Sequence, residues 1–126
     1  MIIEMEPREL SQDVSAIIFS GRFVLGNRLK EVEHSVRQQI EQGARKLVLD
    51  FSGVTYIDSA GIGVLAFLIG LMEEAGGKMV MATGPGQVTQ LMKLTRIEKV
   101  INIFPDLASA QTALEESATP PAKFLP

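Results

Sequence analysis

Residues 47–72 have the sequence LVLDFSGVTYIDSAGIGVLAFLIGLM, in which the spacing of the apolar residues changes part-way along. The run Leu47–Phe51 is short and almost continuously apolar, which is typical of a strand covered on both faces. Ser52-Gly53 predicts a turn, and a helical spacing of apolar residues follows. The predicted buried stripe of that helix consists of Ile62, Leu65, Ala66, Leu68, Ile69, Leu71 and Met72. The stretch therefore predicts a buried strand, a short turn and a helix.

The predicted helix begins at Asp58-Ser59, two residue types that commonly cap helices. Ala60, Gly61 and Gly63 follow and carry almost no side chain. Glycine inside a helix costs roughly 0.5–1 kcal/mol relative to alanine, so two within three residues indicate that another surface approaches closely. That surface is either a neighbouring strand or a binding partner. In the same way, Ser59 is either a helix cap or a group presented for modification and partner binding.

The composition indicates one soluble globular domain of ordinary type. The chain has 126 residues, of which 46% are hydrophobic and 21% charged, and its net charge is -3. No basic run argues for direct nucleic-acid binding. Because the chain contains no cysteine, disulfides and thiolate metal sites are excluded.

The start of the chain shows no signal peptide, since Met1-Ile2-Ile3 runs directly into Glu4. The longest apolar run, residues 61–72, is shorter than the roughly 20 residues that a membrane span needs. We therefore expect a cytoplasmic protein that does not insert into a membrane, and a monomer when unbound.

The rest of the chain alternates strands with helices. Strands are predicted at 1–7, 14–19, 78–82 and 100–104 besides 47–51, and helices at 28–42, from 58 to Gly76-Gly77, around 88–92 and from Asp106 onward. The first two strands form a predicted hairpin. This order predicts a single α/β domain over residues 1–116, with a mixed, mostly parallel sheet of four to five strands and about four helices. Residues 117–126, SATPPAKFLP, are predicted to be a flexible, Pro-rich C-terminal tail.

The pattern around Ser59 does not predict a hydrolase. A nucleophile elbow needs glycine two residues before and two after the serine, and Ile57 occupies the first of these places. The only histidine, His34, is predicted on the solvent side of the first helix. A general base for Ser59 is therefore missing.

Nucleotide and acid–base chemistry are also not indicated. Gly61-x-Gly63 lacks the third glycine of a dinucleotide fingerprint, and no lysine-containing phosphate loop follows. Asp50 and Asp58 are separated by a strand end and a turn and form no evident pair. We predict no catalytic residue, no cofactor and no metal site, and hence no enzyme.

The segment LVLDFSGVTYIDSAGIGVL resembles the signature of STAS domains, which are best known in bacterial anti-sigma factor antagonists. The family pattern is an apolar strand followed by an Asp-Ser-x-Gly-x-Gly turn into a helix, and residues 58–63, DSAGIG, match it throughout. The resemblance extends through Gly76-Gly77 and the strands and helices that follow, to about Leu114. It implies a STAS-like fold for nearly the whole chain.

The resemblance also implies a mechanism. In such proteins the serine matching Ser59 is phosphorylated by a partner that is both an anti-sigma factor and a serine kinase. The unphosphorylated form binds this partner and releases a sigma factor, and a metal-dependent serine phosphatase reverses the modification. The implied binding surface is Asp58, Ser59, Ala60, Gly61 and Gly63, and ATP and metal belong to the partners.

One position departs from the family pattern. Many antagonists carry an acidic residue shortly after the glycine of the second strand, where this chain has Val24. Two alternatives therefore stay open: a STAS accessory subunit of a membrane transporter or of another signalling complex, and a small module that binds an anion at the helix start.

Overall fold

The computed structural model describes residues 3–11, 13–26 and 28–117. Its strands are β1 (Glu4–Glu9), β2 (Ser15–Phe23), β3 (Lys46–Ile57), β4 (Lys78–Ala82) and β5 (Asn102–Phe104). Its helices are α1 (Leu29–Glu41), α2 (Ser59–Glu74), α3 (Gln87–Leu94) and α4 (Leu107–Glu116), and a 3-10 turn spans Ile97–Lys99. The predicted order of strands and helices is confirmed.

The five strands form one sheet in the order β1-β2-β3-β4-β5. β1 pairs antiparallel with β2, and the other neighbouring strands pair in parallel. The sheet is therefore mixed and mostly parallel, as predicted. Pro7 lies within β1, and an edge strand tolerates proline because one of its sides carries no ladder hydrogen bonds.

The sheet separates two apolar clusters, because successive side chains along a strand point to opposite faces. On one face, Leu47, Leu49 and Phe51 pack beneath α1, α2 and α3. On the other face, Val48 packs with Leu114 of α4. A near-continuous apolar run in β3 is thus explained by burial on both faces, as the sequence predicted.

The turn predicted at Ser52-Gly53 is wrong, because β3 continues unbroken to Ile57. The pairing moves from Ile18↔Asp50 to Ser20↔Gly53, so β3 carries one extra residue relative to β2 at this point. The carboxylate of Asp50 accepts a hydrogen bond from the Ser52 N–H at 2.9 Å. The polar pair therefore marks a β-bulge rather than the end of the strand.

Both long helices end where glycine was predicted to end them. Gly43 follows α1 with a φ of 103°, and Gly76 follows α2 with a φ of 81°. These left-handed values favour glycine over residues that carry a Cβ atom. His34 on α1 is exposed, as predicted.

Ser20-Gly21 was predicted either to end the second strand or to form a bulge in it. β2 continues to Phe23, with a φ of 100° at Gly21 and a register shift between Gly21 and Arg22. Two other sequence predictions are corrected. The last strand begins at Asn102 and not at Val100, which is exposed after the 3-10 turn. Ala66, placed on the buried stripe of α2, is exposed.

α4 ends at Glu116, and a domain boundary at residue 116 stays a prediction. Of the predicted tail, residues 117–126, only Ser117 lies within the described residues. Within the described ranges, no helix is both long enough and apolar enough to cross a bilayer.

Candidate functional site

Asp58 joins two elements at the carboxyl end of the central strands. It is the N-cap of α2, and its Oδ1 accepts a hydrogen bond from the Gly61 N–H at 2.9 Å. Its Oδ2 accepts a hydrogen bond from the Leu25 N–H at 3.1 Å. One carboxylate therefore holds the start of α2 and the segment after β2 together, although Asp58 and Leu25 are 33 positions apart.

The same contacts determine the ionisation of Asp58. Burial is the largest single influence and disfavours the carboxylate, but the backbone N–H groups of Gly61, Leu25, Ala60 and Asp58 together outweigh it. The pKa of Asp58 is consequently lower than its ordinary value. Asp58 is therefore an anion at neutral pH, directly before Ser59 in the chain.

Ser59 is the first residue of α2, and its side chain is exposed. Asp58 performs the capping, which resolves the choice between the two candidate caps. The Ser59 hydroxyl forms no hydrogen bond with the rest of the described chain. It is thus accessible to a reagent or partner that approaches the helix start.

The two glycines of the motif face different surroundings. A Cβ atom on Gly61 would lie 2.3 Å from the carbonyl oxygen of Phe23 and 2.7 Å from Cγ1 of Ile57. Gly61 therefore allows α2 to approach β2 and β3 closely. A Cβ atom on Gly63 would meet nothing within 4 Å, and Gly63 is exposed. Of the predicted binding residues, the structure thus brings Asp58, Ser59 and Gly63 to one surface, with Ala60 half-buried and Gly61 turned inward.

Three phenylalanines form a rigid base beneath this surface. The ring centroids of Phe23 and Phe51 lie 4.9 Å apart, and Phe19 lies 5.7 Å from Phe23 and 5.2 Å from Phe51. All three side chains are almost completely buried. Since close-packed aromatic rings resist displacement, they hold the end of β2 against the start of α2.

Leu25 is a residue of this surface that was not predicted from the sequence. Its side chain is 78% exposed, while Phe23 is buried and Val24 half-buried. The available signal was the run of three apolar residues at the end of β2, since a strand buries only alternate side chains on one face. The hydrogen bond to Asp58 could not be inferred from the sequence, because it joins positions far apart in the chain.

Other chemistry near Ser59 finds no support in the arrangement. His34 lies on the exposed side of α1, and Asp50 uses its carboxylate to bind the Ser52 N–H. In the part of the chain that the structure describes, no three carboxylate or imidazole side chains converge as metal ligands would. The site therefore consists of an ionised cap, an exposed hydroxyl and an exposed leucine.

Comparisons with known proteins identify the family and the fold of the chain. The family model for the STAS domain matches residues 11–110. An anti-sigma F factor antagonist from Paenibacillus polymyxa is 26% identical over 85 residues, which cover 64% of this chain and 73% of that protein.

Solved structures show the same fold. An anti-sigma factor antagonist from Mycobacterium paratuberculosis has a TM-score of 0.80 at 22% identity, covering 90% of this chain and 95% of that one. The Bacillus cell fate determinant SpoIIAA in its phosphorylated form has a TM-score of 0.66 at 12% identity, covering 87% of this chain and 99% of that one. With the family model matched over most of its length, this chain belongs to the STAS domain family.

Proposed function

We propose that this chain is an anti-sigma factor antagonist that is switched by phosphorylation of Ser59. The observation that carries the proposal is the exposed Ser59 hydroxyl at the start of α2, beside a carboxylate that already caps the helix. The chain performs no catalysis of its own. It acts in the cytoplasm, is a monomer when unbound, and in its unphosphorylated form binds an anti-sigma factor with serine kinase activity, which then releases a sigma factor.

The chemistry at Ser59 is phosphoryl transfer from a nucleotide that the kinase binds. The Ser59 oxygen forms a bond to the γ-phosphorus of ATP, the bond to the β-phosphate oxygen breaks, and ADP leaves. The hydroxyl proton passes to a base of the kinase. A separate serine phosphatase hydrolyses the phosphate ester and restores the hydroxyl.

The physical consequence of the phosphate falls on the surface rather than on the core. Phosphate adds about -1.5 to -2 charges, and backbone N–H groups at a helix start favour an anion there. The phosphate would also lie next to the ionised Asp58. Together the two groups form a strongly negative, bulky surface that opposes close docking of the partner.

The partner contact includes an apolar anchor. Antagonists of this family often carry an acidic residue near the position of Val24, which is half-buried here. Leu25, the next residue, is 78% exposed and held beside Ser59 by Asp58. We therefore propose that the partner binds Leu25 in an apolar pocket, in place of a charged contact.

The test is a pull-down from the native lysate with the wild type, Ser59→Ala and Ser59→Asp, analysed by mass spectrometry. A kinase-like anti-sigma factor should be recovered with the wild type and with Ser59→Ala, but not with Ser59→Asp. The recovered kinase, supplied with ATP, should then phosphorylate the wild type at Ser59 and leave Ser59→Ala unmodified.

Leu25→Ser, compared with the wild type, tests the anchor with the same recovered partner. Its affinity should fall about tenfold or more, because a buried leucine contact is worth about 1.5–3 kcal/mol. Equal recovery of one partner by wild type, Ser59→Ala and Ser59→Asp would refute the switch and leave Ser59 as an ordinary helix residue.

Val24 stands where many antagonists carry an acidic residue, and this difference favours a second candidate function. In it, the chain is an accessory subunit of a membrane transporter or of another signalling complex. In that case the pull-down recovers transporter subunits and no kinase, and Ser59→Asp retains them. The relative from Paenibacillus polymyxa and the structure from Mycobacterium paratuberculosis are antagonists, so this candidate has less support.

A further inference from the structure

The end of the molecule opposite Ser59 carries a concentration of positive charge. Lys93 lies in the last turn of α3, Arg96 and Lys99 lie in the connection between α3 and β5, and Lys78 begins the neighbouring strand β4. All four side chains are exposed, and none forms an ion pair with another described residue. This is a local excess of cations in a chain whose net charge is -3.

The end of α3 and the connection that follows it expose one large aliphatic side chain each. Leu94 is 79% exposed and Val100 is 59% exposed. We call the surface formed by Lys78, Lys93, Leu94, Arg96, Lys99 and Val100 the basic end. Exposed aliphatic groups among cations are typical of a docking site for a protein segment.

A cleft of about 380 Å³ opens at the basic end. Lys78, Lys99 and Val100 line its rim together with Glu73, and the buried side chains of Ile69 and Met72 form part of its floor. The acidic residues of the region are Glu73, Glu74 and Glu98, and the four cations outnumber them by one. An apolar side chain could thus enter the cleft while acidic neighbours contact the lysines.

The backbone conformation of Arg96 belongs to the end of α3. Its φ is 62°, a left-handed conformation that favours glycine or asparagine. Arg96 follows the C-cap Thr95, and its N–H donates a hydrogen bond to the Lys93 carbonyl at 3.2 Å, so this conformation ends the helix. The exposed side chain of Arg96 therefore lies between α3 and the 3-10 turn.

We propose that the basic end is a second docking surface, which binds an acidic protein segment bearing a large apolar side chain. Nucleic acid fits less well, because residues 93–102 contain no aromatic ring on which a base could stack. An anionic membrane also fits less well, since two aliphatic side chains offer little area for insertion.

The basic end lies away from the proposed switch. It adjoins the C-terminal end of α2, whose 16 residues span about 24 Å from Ser59. Binding there should therefore not depend on phosphorylation, and a partner could stay attached in both states of Ser59. This inference does not rest on the proposed sigma-factor role.

The probe is a short synthetic peptide with one phenylalanine among aspartate and glutamate residues, titrated into the ¹⁵N-labelled chain. We expect amide shifts confined to Lys78 and residues 93–102, which weaken as salt is added. The double variant Lys78→Glu/Lys99→Glu should bind the peptide about tenfold more weakly. Lys30→Glu, an exposed charge reversal on α1, is the matched control and should leave binding unchanged, as should Ser59→Asp.

Three outcomes would overturn the proposal. The first is an absence of shifts at the basic end at millimolar peptide, and the second is an equal loss of binding in Lys30→Glu. The third is binding to phosphatidylserine vesicles without binding to the peptide, which would assign the surface to lipid. Thermal melts of the variants exclude misfolding as the cause, and none of these results bears on the Ser59 pull-down.

Discussion

At the residue scale, the two glycines of the motif have different roles. Gly61 lets α2 pack closely against β2 and β3, whereas Gly63 lies on the exposed surface. Gly61→Ala places a Cβ atom 2.3 Å from a backbone oxygen of β2, so it should lower the free energy of unfolding by about 1–3 kcal/mol. Gly63→Ala meets nothing within 4 Å and should raise it by roughly 0.5–1 kcal/mol, because alanine favours helix. Urea denaturation of both variants measures the difference. Equal effects would contradict the packing role of Gly61.

Asp58 should contribute a pH-dependent part of the stability. Because its pKa is lower in the folded chain, the contribution is complete above the unfolded value of about 3.9 and is lost as pH falls through the folded pKa. Asp58→Asn should flatten the dependence of unfolding free energy on pH in that acid range. At neutral pH it should also reduce stability, since one amide oxygen cannot replace both carboxylate oxygens.

The control for this titration is Asp106→Asn, at the N-cap of α4. Hydrogen bonds from Ser109 lower the pKa of Asp106. This variant should therefore flatten the dependence of the unfolding free energy on pH in the acid range without affecting the segment at Leu25. If the unfolding free energy of the wild type and of Asp58→Asn depended on pH in the same way, Asp58 would not be the source of this pH-dependent stability.

At the element scale, α4 covers one face of the sheet, and no other described helix packs on that face. Leu114 is fully buried there against Val48 and Val80. Leu114→Ala should lower the unfolding free energy by about 2–5 kcal/mol, because it removes buried methyl groups and leaves a cavity. Leu94→Ala, at an exposed position, should change it by less than about 0.5 kcal/mol. Chemical denaturation compares the two, and similar losses would contradict the two-sided core.

At the scale of the whole molecule, the proposed switch should leave the fold unchanged. The negative charge of Ser59→Asp lies at the start of α2, where the helix dipole favours an anion by about 0.3–1 kcal/mol, and Asp58 offsets part of this gain. We therefore expect a melting temperature equal to or slightly above that of Ser59→Ala. Amide shifts between the two should be confined to the start of α2 and residues 24–26. A large fall in melting temperature would show that the charge acts on the core instead.

Local patterns predicted most of the elements, and their failures have identifiable causes. Ser52-Gly53 has turn composition, but pairing with β2 and the Asp50 carboxylate turned it into a bulge. Val100 has strand propensity, but the 3-10 turn leaves it exposed. In both cases tertiary contacts overrode local propensity, which is a weak influence on the backbone.

The functional site was predicted only in part, again because some of its residues depend on tertiary contacts. The motif at residues 58–63 located the helix start, because capping and glycine chemistry act within one turn. Leu25 was missed, because its place depends on a hydrogen bond to Asp58 from a distant part of the chain.

The sequence by itself determined the order of elements, the burial of β3 on both faces and the presence of a serine at a helix start, since these follow from periodicity and capping over a few residues. Only the tertiary structure decided which glycine packs inward, whether Asp58 or Ser59 caps α2, and which apolar side chains remain exposed beside Ser59 and at the basic end. Those features depend on distances between segments that lie far apart in the chain, and no local pattern specifies such distances.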